Sequence, residues 1–173
     1  KIIHSEMRII DIGANIGYYT TLFSKLAHKG SVYAFEPDES NFQLLKENCS
    51  INKCSNAKLF RHAIGNDECS RKLFLSEINF GDHRLYPVDE NRSFTEVKMV
   101  TIDGFLGSEE AFDFIKMDIQ GIEMEALKGM QSKITSDKPI ILLEVWPAAL
   151  LKNNTTPVEI FSFLNNLNYE IFD

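Results

Sequence analysis

DIGANIGYY, residues 11–19, is the stretch that decides the fold, because its glycines directly follow a strand-like run at Arg8–Ile12. Gly13 and Gly17 have no Cβ, so the backbone can turn sharply and approach a ligand, and Asn15 tolerates the left-handed conformation. Apolar residues then recur at helical spacing until the stop signal at Gly30, at Tyr18, Leu22, Phe23 and Leu26. The pattern predicts a strand, a tight turn and a helix, an arrangement that can cradle a nucleoside cofactor.

The remainder of the chain alternates short apolar runs with helical periodicity, which is typical of the α/β class. Further core strands are predicted at 31–35, 58–61, 112–117 and 139–145. Helices are predicted after Pro37 and Asp38, with Phe42, Leu44, Leu45 and Ile51 on the buried side, and at about 122–130 and 158–167. Strands at 72–75 and 96–100 are predicted to form a β insertion between the third and fourth core strands. The run IILLEV, residues 140–145, predicts a central strand buried on both faces.

Composition narrows the class of protein. The 173 residues, 44% of them hydrophobic, predict one domain over 1–173 with one sizeable core. A net charge of −7 argues against general affinity for nucleic acid. No run is long and apolar enough to span a membrane, and the three cysteines lack the spacing of a zinc site or a disulfide framework. We therefore expect a soluble, cytoplasmic protein with a small partner.

Acids at the strand ends refine the cofactor prediction, because parallel sheets bind ligands at the carboxyl ends of their strands. Glu36 closes the second strand, about 20–25 residues after the glycine turn, where a carboxylate can accept hydrogen bonds from both ribose hydroxyls. Asp11 before the turn suits a ligand with a positive amino group. The turn lacks the middle glycine of the dinucleotide pattern GxGxxG, which makes NAD a weaker candidate. Glu36 does not choose between the cofactors, because NAD and S-adenosylmethionine both contain that ribose.

Four segments, taken in order, resemble the FkbM-type methyltransferases: DIGANIGYYT, VYAFEPDESNFQLLKEN, FIKMDIQGIEMEALKGM and LLEVWP. The most specific are AFEPD, residues 34–38, and IKMDIQGIE, residues 115–123. The resemblance implies a Rossmann-like methyltransferase fold, with a mostly parallel central sheet flanked by helices. It also implies S-adenosylmethionine as the donor and O-methylation of a sugar or natural-product hydroxyl. Tyr169–Phe172 is predicted to begin another strand, which leaves no residues for the last antiparallel strand of this fold.

The resemblance also implies site residues. The methionine part of the cofactor would be contacted by Asp11, Gly13, Asn15 and Gly17, with Tyr18 beside them. Glu36 would bind the ribose with Pro37 beside it, and His62 and Ala63 would lie beside the adenine. Asp118 closes the fourth core strand, where this fold brings the donor methyl group and the acceptor together.

Three residues are candidates for removing the proton of an acceptor hydroxyl: Asp118, Glu144 and His83. Glu144 is chosen because a carboxylate at a buried strand end is costly unless it is paired or used. His83 and Arg84 lie in the loop NFGDHRL, residues 79–85, and could bind the acceptor. Glu123 is interpreted as a charge that the helix N-terminus stabilises.

Some alternatives stay open at this point. A nicotinamide-dependent oxidoreductase shares the turn and the ribose acid, but no Tyr-x-x-x-Lys pair is recognisable. A non-catalytic S-adenosylmethionine-binding module is the other alternative. Nothing in the sequence establishes that the carboxylates converge, so no metal is predicted, and the oligomeric state stays undetermined.

Overall fold

The computed structural model describes residues 2–76, 81–87, 92–107 and 110–172. The strands in these ranges are β1 Arg8–Ile12, β2 Ser31–Phe35, β3 Ala57–Phe60, β4 Ala63–Ile64, β5 Cys69–Phe74, β6 Phe94–Val100, β7 Phe114–Met117 and β8 Ile140–Leu143. The helices are α1 Tyr18–Leu26, α2 Glu39–Ile51, α3 Ile102–Leu106, α4 Glu123–Lys128, α5 Gln131–Asp137, α6 Pro147–Lys152 and α7 Pro157–Asn166.

Five strands form a parallel core sheet in the order β3-β2-β1-β7-β8. The chain runs from β1 outward through β2 to β3, and then returns to the other side of β1 as β7. The strand order therefore reverses at β1, and the crevice beyond the carboxyl ends of β1, β2 and β7 is where such a sheet binds its ligands.

Apolar side chains alternate between the two faces of the core sheet, as the strand geometry requires. On one face, Ile9 of β1 and Phe114 of β7 pack with Phe23 of α1. On the other face, Ile10 and Ile115 pack in a larger cluster to which α4, α5, α6 and α7 contribute. Helices therefore cover both faces, as predicted for the Rossmann-like class.

The segment between β3 and β7 contains the predicted β insertion. Its strands form a second sheet in the order β4-β6-β5, with β5 antiparallel to β6 and β4 parallel to it. Ala63, Leu73, Val97 and Met99 form the buried cluster of this sheet. Gly65 N also donates to Val100 O, so the start of the insertion is fixed beside the end of β6.

The prediction that 139–145 is a central strand buried on both faces is wrong. Among the described residues β8 pairs only with β7, so it lies at an edge of the core sheet. Ile141 and Leu143 pack against the core, whereas Ile140 and Leu142 are each 48% exposed. An apolar run of this length fits an edge strand as well, because periodicity reports apolar faces and not the number of neighbouring strands.

Other local predictions also differ from the structure. Tyr169–Phe172 forms no strand within the described residues. Leu44 and Ile51 of α2 are exposed, because only the face with Leu45 and Cys49 is turned towards the sheet. Within the described ranges, no helix has both the length and the apolar character needed to cross a lipid bilayer.

Candidate functional site

The glycine turn after β1 adopts the backbone conformations that its sequence predicts. Gly13, Asn15 and Gly17 all have positive φ, at 73°, 51° and 91°. A Cβ on Gly13 would lie 2.0 Å from the carbonyl oxygen of Asp118, and one on Gly17 would lie 2.6 Å from a methyl group of Leu45. The glycines are therefore required by close packing of the turn against β7 and α2, as well as by φ.

A cavity of about 320 Å³ lies at the carboxyl ends of β1, β2 and β7 and is closed on one side by the β insertion. This volume is within the range of small-molecule sites. The predicted site residues in its wall are Gly13, Asn15, Tyr18, Glu36, Pro37, His62, Ala63, His83 and Asp118. The structure thus brings together the glycine turn, the end of β2, the start of β4, the loop before Arg84 and the end of β7, whereas no residue of LLEVWP lines the cavity.

Glu36 lies in the cavity wall and is only 5% exposed. Its Oε2 accepts a hydrogen bond from Asn15 N at 2.8 Å, and its Oε1 accepts one from Asp38 N at 3.0 Å. Burial raises the pKa of Glu36 to about 7, although these two backbone donors oppose the rise. Each carboxylate oxygen keeps a second lone pair, so Glu36 can still accept two hydrogen bonds from a ligand.

Asp11 and Gly17 support the cavity wall from outside it, since neither is among the lining residues. Asp11 is fully buried, and its Oδ2 accepts a hydrogen bond from Thr20 Oγ1 at 2.6 Å. Its Oδ1 lies 3.4 Å from Lys116 Nζ and has no hydrogen-bond partner among the residues that the structure describes. Burial raises the pKa of Asp11, and the nearby Lys116 ammonium opposes that rise.

Lys116 is a site residue that the sequence reasoning missed. It is 5% exposed, faces the cavity from β7, and donates a hydrogen bond to Gly13 O at 2.8 Å. The register pairs it with Asp11 on β1, which explains how the two charges meet. The signal was available, because a lysine inside the buried run FIKM needs a counterion.

Asp118 and Glu144 converge through Gln120. The side-chain Nε2 of Gln120 donates to Asp118 Oδ1 at 2.8 Å and to Glu144 Oε2 at 3.2 Å. Gln120 lines the cavity, whereas Glu144 is one hydrogen bond further out and is exposed. The premise that Glu144 stands at a buried strand end is therefore wrong, because β8 is an edge strand. Partial burial and the neighbouring Asp118 still raise the pKa of Glu144 to about 7.

His62 and His83 face the cavity from the insertion side. His62 Nδ1 is buried without a hydrogen-bond partner among the described residues, and burial lowers the pKa of this imidazole. Nδ1 of His83 accepts a hydrogen bond from Ser76 N at 3.0 Å, and its Nε2 lies 3.9 Å from Asp38 Oδ1. Burial lowers the pKa of His83 as well. A neutral imidazole that accepts at Nδ1 carries its proton on Nε2, so His83 is better placed to donate than to act as a base.

Arg84 and Glu123, two further residues that the sequence analysis considered, are already hydrogen-bonded within the protein. Arg84 is 8% exposed and its Nε donates to Asp82 Oδ1 at 2.6 Å, so its charge is already engaged. Glu123 Oε1 accepts hydrogen bonds from Gly121 N and Ile119 N, at 3.0 and 3.3 Å, and so fixes the loop before α4. Asn79 and Phe80 of the predicted acceptor loop lie outside the described residues.

Comparisons with known proteins show the family to which this chain belongs. A family model described as "Methyltransferase FkbM domain" matches residues 11–171. Hexuronic acid methyltransferase AglP from Haloferax volcanii is 27% identical over 134 residues, which cover 76% of this chain and 53% of that protein. The chain spans between 53% and 66% of the length of the curated relatives it matches.

Solved structures confirm the fold. Methyltransferase FkbM from Methylobacillus flagellatus KT has a TM-score of 0.65 at 21% identity, over 95% of this chain and 37% of that chain. A SAM dependent methyltransferase from Aquifex aeolicus has a TM-score of 0.54 at 15% identity, over 100% and 77%. Proteins described as rRNA methylases share the fold as well, so the fold alone does not select an acceptor.

Proposed function

Because the chain belongs to the FkbM methyltransferase family, we propose that it transfers a methyl group from S-adenosylmethionine to a hydroxyl of a sugar or natural-product acceptor. One observation carries this proposal: a single cavity has the glycine turn, Glu36 and Asp118 in its wall. Those are the positions that the family resemblance assigns to the methionine part, the ribose and the methyl-transfer centre. The name of AglP, a hexuronic acid methyltransferase, supports a sugar-like acceptor.

The residues around the cavity fit this cofactor. Glu36 keeps acceptor capacity for two ribose hydroxyls, and the buried Nδ1 of His62 can take part in a hydrogen bond with a base edge. Gly13 lets the backbone form the wall where a side chain would collide. The Lys116 ammonium is held by Asp11 and by Gly13 O, so it does not oppose a cationic ligand as a free charge.

S-adenosylmethionine supplies an electrophilic methyl group, so the bond from the acceptor oxygen to this methyl forms as the bond from sulfur breaks. The hydroxyl proton goes to the carboxylate pair of Asp118 and Glu144, which Gln120 holds together. A pKa of about 7 suits Glu144 to proton transfer near neutral pH. His83 also lines the cavity and is the third candidate for contact with the acceptor. Positioning of the acceptor in line with the methyl group contributes much of the catalysis.

Calorimetric titration of the full-length protein tests the cofactor assignment. We expect saturable binding of S-adenosylmethionine and S-adenosylhomocysteine, and no binding of NAD. Glu36→Gln should weaken binding of both, whereas Glu47→Gln, at an exposed position of α2, should leave it unchanged. Saturable binding of NAD alone would overturn the assignment in favour of an oxidoreductase.

Transfer of radiolabel from the donor to a panel of hydroxylated sugars tests the reaction. We expect label in at least one sugar, and we expect its loss in Asp118→Asn while cofactor binding persists. Tight binding of S-adenosylmethionine with no transfer to any hydroxyl compound would favour a non-catalytic binding module instead. Label found in RNA rather than in small molecules would contradict the proposed class of acceptor.

We also propose a cytoplasmic location and no nucleic-acid partner. Support for the location comes from the cysteines, since Cys49, Cys54 and Cys69 are all free. Support for the second point comes from the net charge of −7. Cell fractionation and an RNA-binding titration at low salt test the two points separately.

A further inference from the structure

The segment after β8 carries the one tryptophan of the chain, Trp146. Its side chain is 39% exposed, and it follows Glu144 by two residues. Glu144 in turn shares the Gln120 amide with Asp118. Trp146 is not among the residues that line the cavity, so its exposed aromatic surface lies outside the cavity wall, two residues along the chain from one of the carboxylates that the proposed function assigns to the acceptor hydroxyl.

Trp146 is held in place by the β insertion. The guanidinium carbon of Arg84 lies 4.9 Å from the centre of the Trp146 ring system. Arg84 is fixed by Asp82, which also accepts a hydrogen bond from Arg92 Nη2 at 2.7 Å. One face of the indole thus packs against an immobilised cation. A preorganised aromatic group loses little conformational entropy when a ligand stacks on its remaining surface.

The charges around this position disfavour an anionic acceptor. The basic groups are already engaged, Arg84 and Arg92 with Asp82, and Lys116 with Asp11. Within the described ranges, neither Asp118 nor Glu144 forms an ion pair with a lysine or arginine, and Lys116, the cation that acts on Glu144, is already paired with Asp11. A ligand carboxylate brought here would meet repulsion from Asp118 and Glu144, and the cations Arg84, Arg92 and Lys116 are already paired with other carboxylates.

We propose that the acceptor is an uncharged sugar ring, which stacks its apolar C–H face on Trp146 and directs one hydroxyl to the pair formed by Asp118 and Glu144. The negative face of the indole attracts the weakly positive C–H hydrogens of such a ring. This inference rests on the proposed function and narrows its acceptor. The proposed acceptor carries no charge, and in this respect it differs from the hexuronic acid in the name of AglP.

Fluorescence of Trp146 reports directly on this contact. The spectrum of full-length protein carrying Trp146→Phe is subtracted from that of the unchanged protein, both saturated with S-adenosylhomocysteine. The probes are neutral methyl pyranosides of several configurations, each paired with the hexuronate of the same configuration. We expect saturable changes in the difference spectrum with at least one neutral pyranoside, and smaller changes with its hexuronate.

Kinetics then separate binding of the acceptor from binding of the cofactor. Trp146→Ala should raise the acceptor KM by about tenfold, as expected for the loss of one aromatic stacking contact, with little change in kcat. Trp146→Phe should restore much of the loss, because a ring is kept. Leu151→Ala is the matched control, since Leu151 is an exposed apolar side chain on the following helix α6. The dissociation constant of S-adenosylhomocysteine should stay the same in all three variants.

The outcomes distinguish this inference from the function on which it rests. If S-adenosylhomocysteine does not bind at all, the proposed function fails first. If it binds, but hexuronates bind as well as neutral sugars or Trp146→Ala leaves KM unchanged, the stacking proposal is overturned while the cofactor assignment stands. Saturable binding of an aromatic polyol in place of every sugar would also overturn it.

Discussion

Glu36 combines burial with a proposed binding role that requires its negative charge. It is buried enough for its pKa to rise to about 7, yet in the proposed function it must be ionised to accept hydrogen bonds from both ribose hydroxyls while it also accepts those from Asn15 N and Asp38 N. A carboxyl group is mostly protonated when the pH is below its pKa. At mildly acidic pH, we therefore expect a large fraction of the protein molecules to carry a protonated Glu36 and to bind the ribose weakly.

Cofactor affinity should therefore rise with pH through about 7. The ionised fraction of Glu36 grows from about a tenth at pH 6 to about nine tenths at pH 8, which predicts an apparent Kd about tenfold lower at pH 8. Calorimetric titration with S-adenosylhomocysteine at three pH values measures this slope. Glu36→Gln should bind weakly at every pH, and a slope that persists in this variant would contradict the assignment to Glu36.

Glu144 and Asp118 predict a second pH dependence, in the rate. Since burial and the Asp118 carboxylate raise the pKa of Glu144 to about 7, the base form is lost as pH falls below 7. We expect kcat/KM to rise through about this pH, with an apparent pKa that belongs to the pair. Glu144→Gln should lower kcat by about 10²- to 10⁴-fold at pH 8, as for loss of a general base, and remove the rise. An unchanged profile in Glu144→Gln would leave Asp118 as the base.

At the scale of elements, the contact between β1 and β7 organises the site. The register sets Asp11 against Lys116, and the close packing of Gly13 on Asp118 O brings the glycine turn against the end of β7. The turn and the proposed methyl-transfer centre are therefore built on neighbouring strands. Disturbing either contact should disturb cofactor binding and stability together.

Removing one charge of the buried pair should be strongly destabilising. Lys116→Met leaves the fully buried Asp11 without its cation, and we expect a loss of about 3–5 kcal/mol in the free energy of unfolding. The double variant Asp11→Asn with Lys116→Met should cost less than the sum of the two single changes, because neither charge is then left alone. Denaturant unfolding of the four proteins gives the coupling, and strict additivity would show that the pair does not interact.

Gly13→Ala tests the close approach in the turn. The new Cβ would lie 2.0 Å from a backbone oxygen, so the turn must move and the residue is strained at φ 73°. We expect a loss of more than about 2 kcal/mol in stability together with weaker cofactor binding. Gly104→Ala is the control, since Gly104 is at an exposed position of α3 and its Cβ would meet the side-chain oxygens of Thr101 and Glu68 and no backbone atom. Equal effects of the two changes on cofactor affinity would contradict a specific role for the turn.

At the scale of the molecule, the cavity is walled by both the core sheet and the β insertion. Glu36 and Asp118 come from the first, and His62, Ala63 and His83 come from the second. A ligand in the cavity contacts both units, so its binding energy should stabilise the folded chain as a whole.

Saturating S-adenosylhomocysteine should therefore raise stability measurably. At about 100 times its Kd, linkage predicts an increase of about 2.7 kcal/mol in the free energy of unfolding. Thermal or denaturant unfolding with and without ligand measures it, and NAD at the same concentration serves as the control. A shift with NAD alone would contradict the cofactor assignment.

The sequence by itself determined the α/β class, the glycine turn, the acid at Glu36 and the position of Asp118 at a strand end. Turn chemistry and strand-end position are local properties, which residue types specify without knowledge of distant neighbours. The edge position of β8, the exposure of Glu144 and the pairing of Lys116 with Asp11 were decided by the tertiary structure. The same holds for the contact between Arg84 and Trp146. Strand order and register set these features, and both join segments far apart in the chain, which hydrophobic periodicity does not encode.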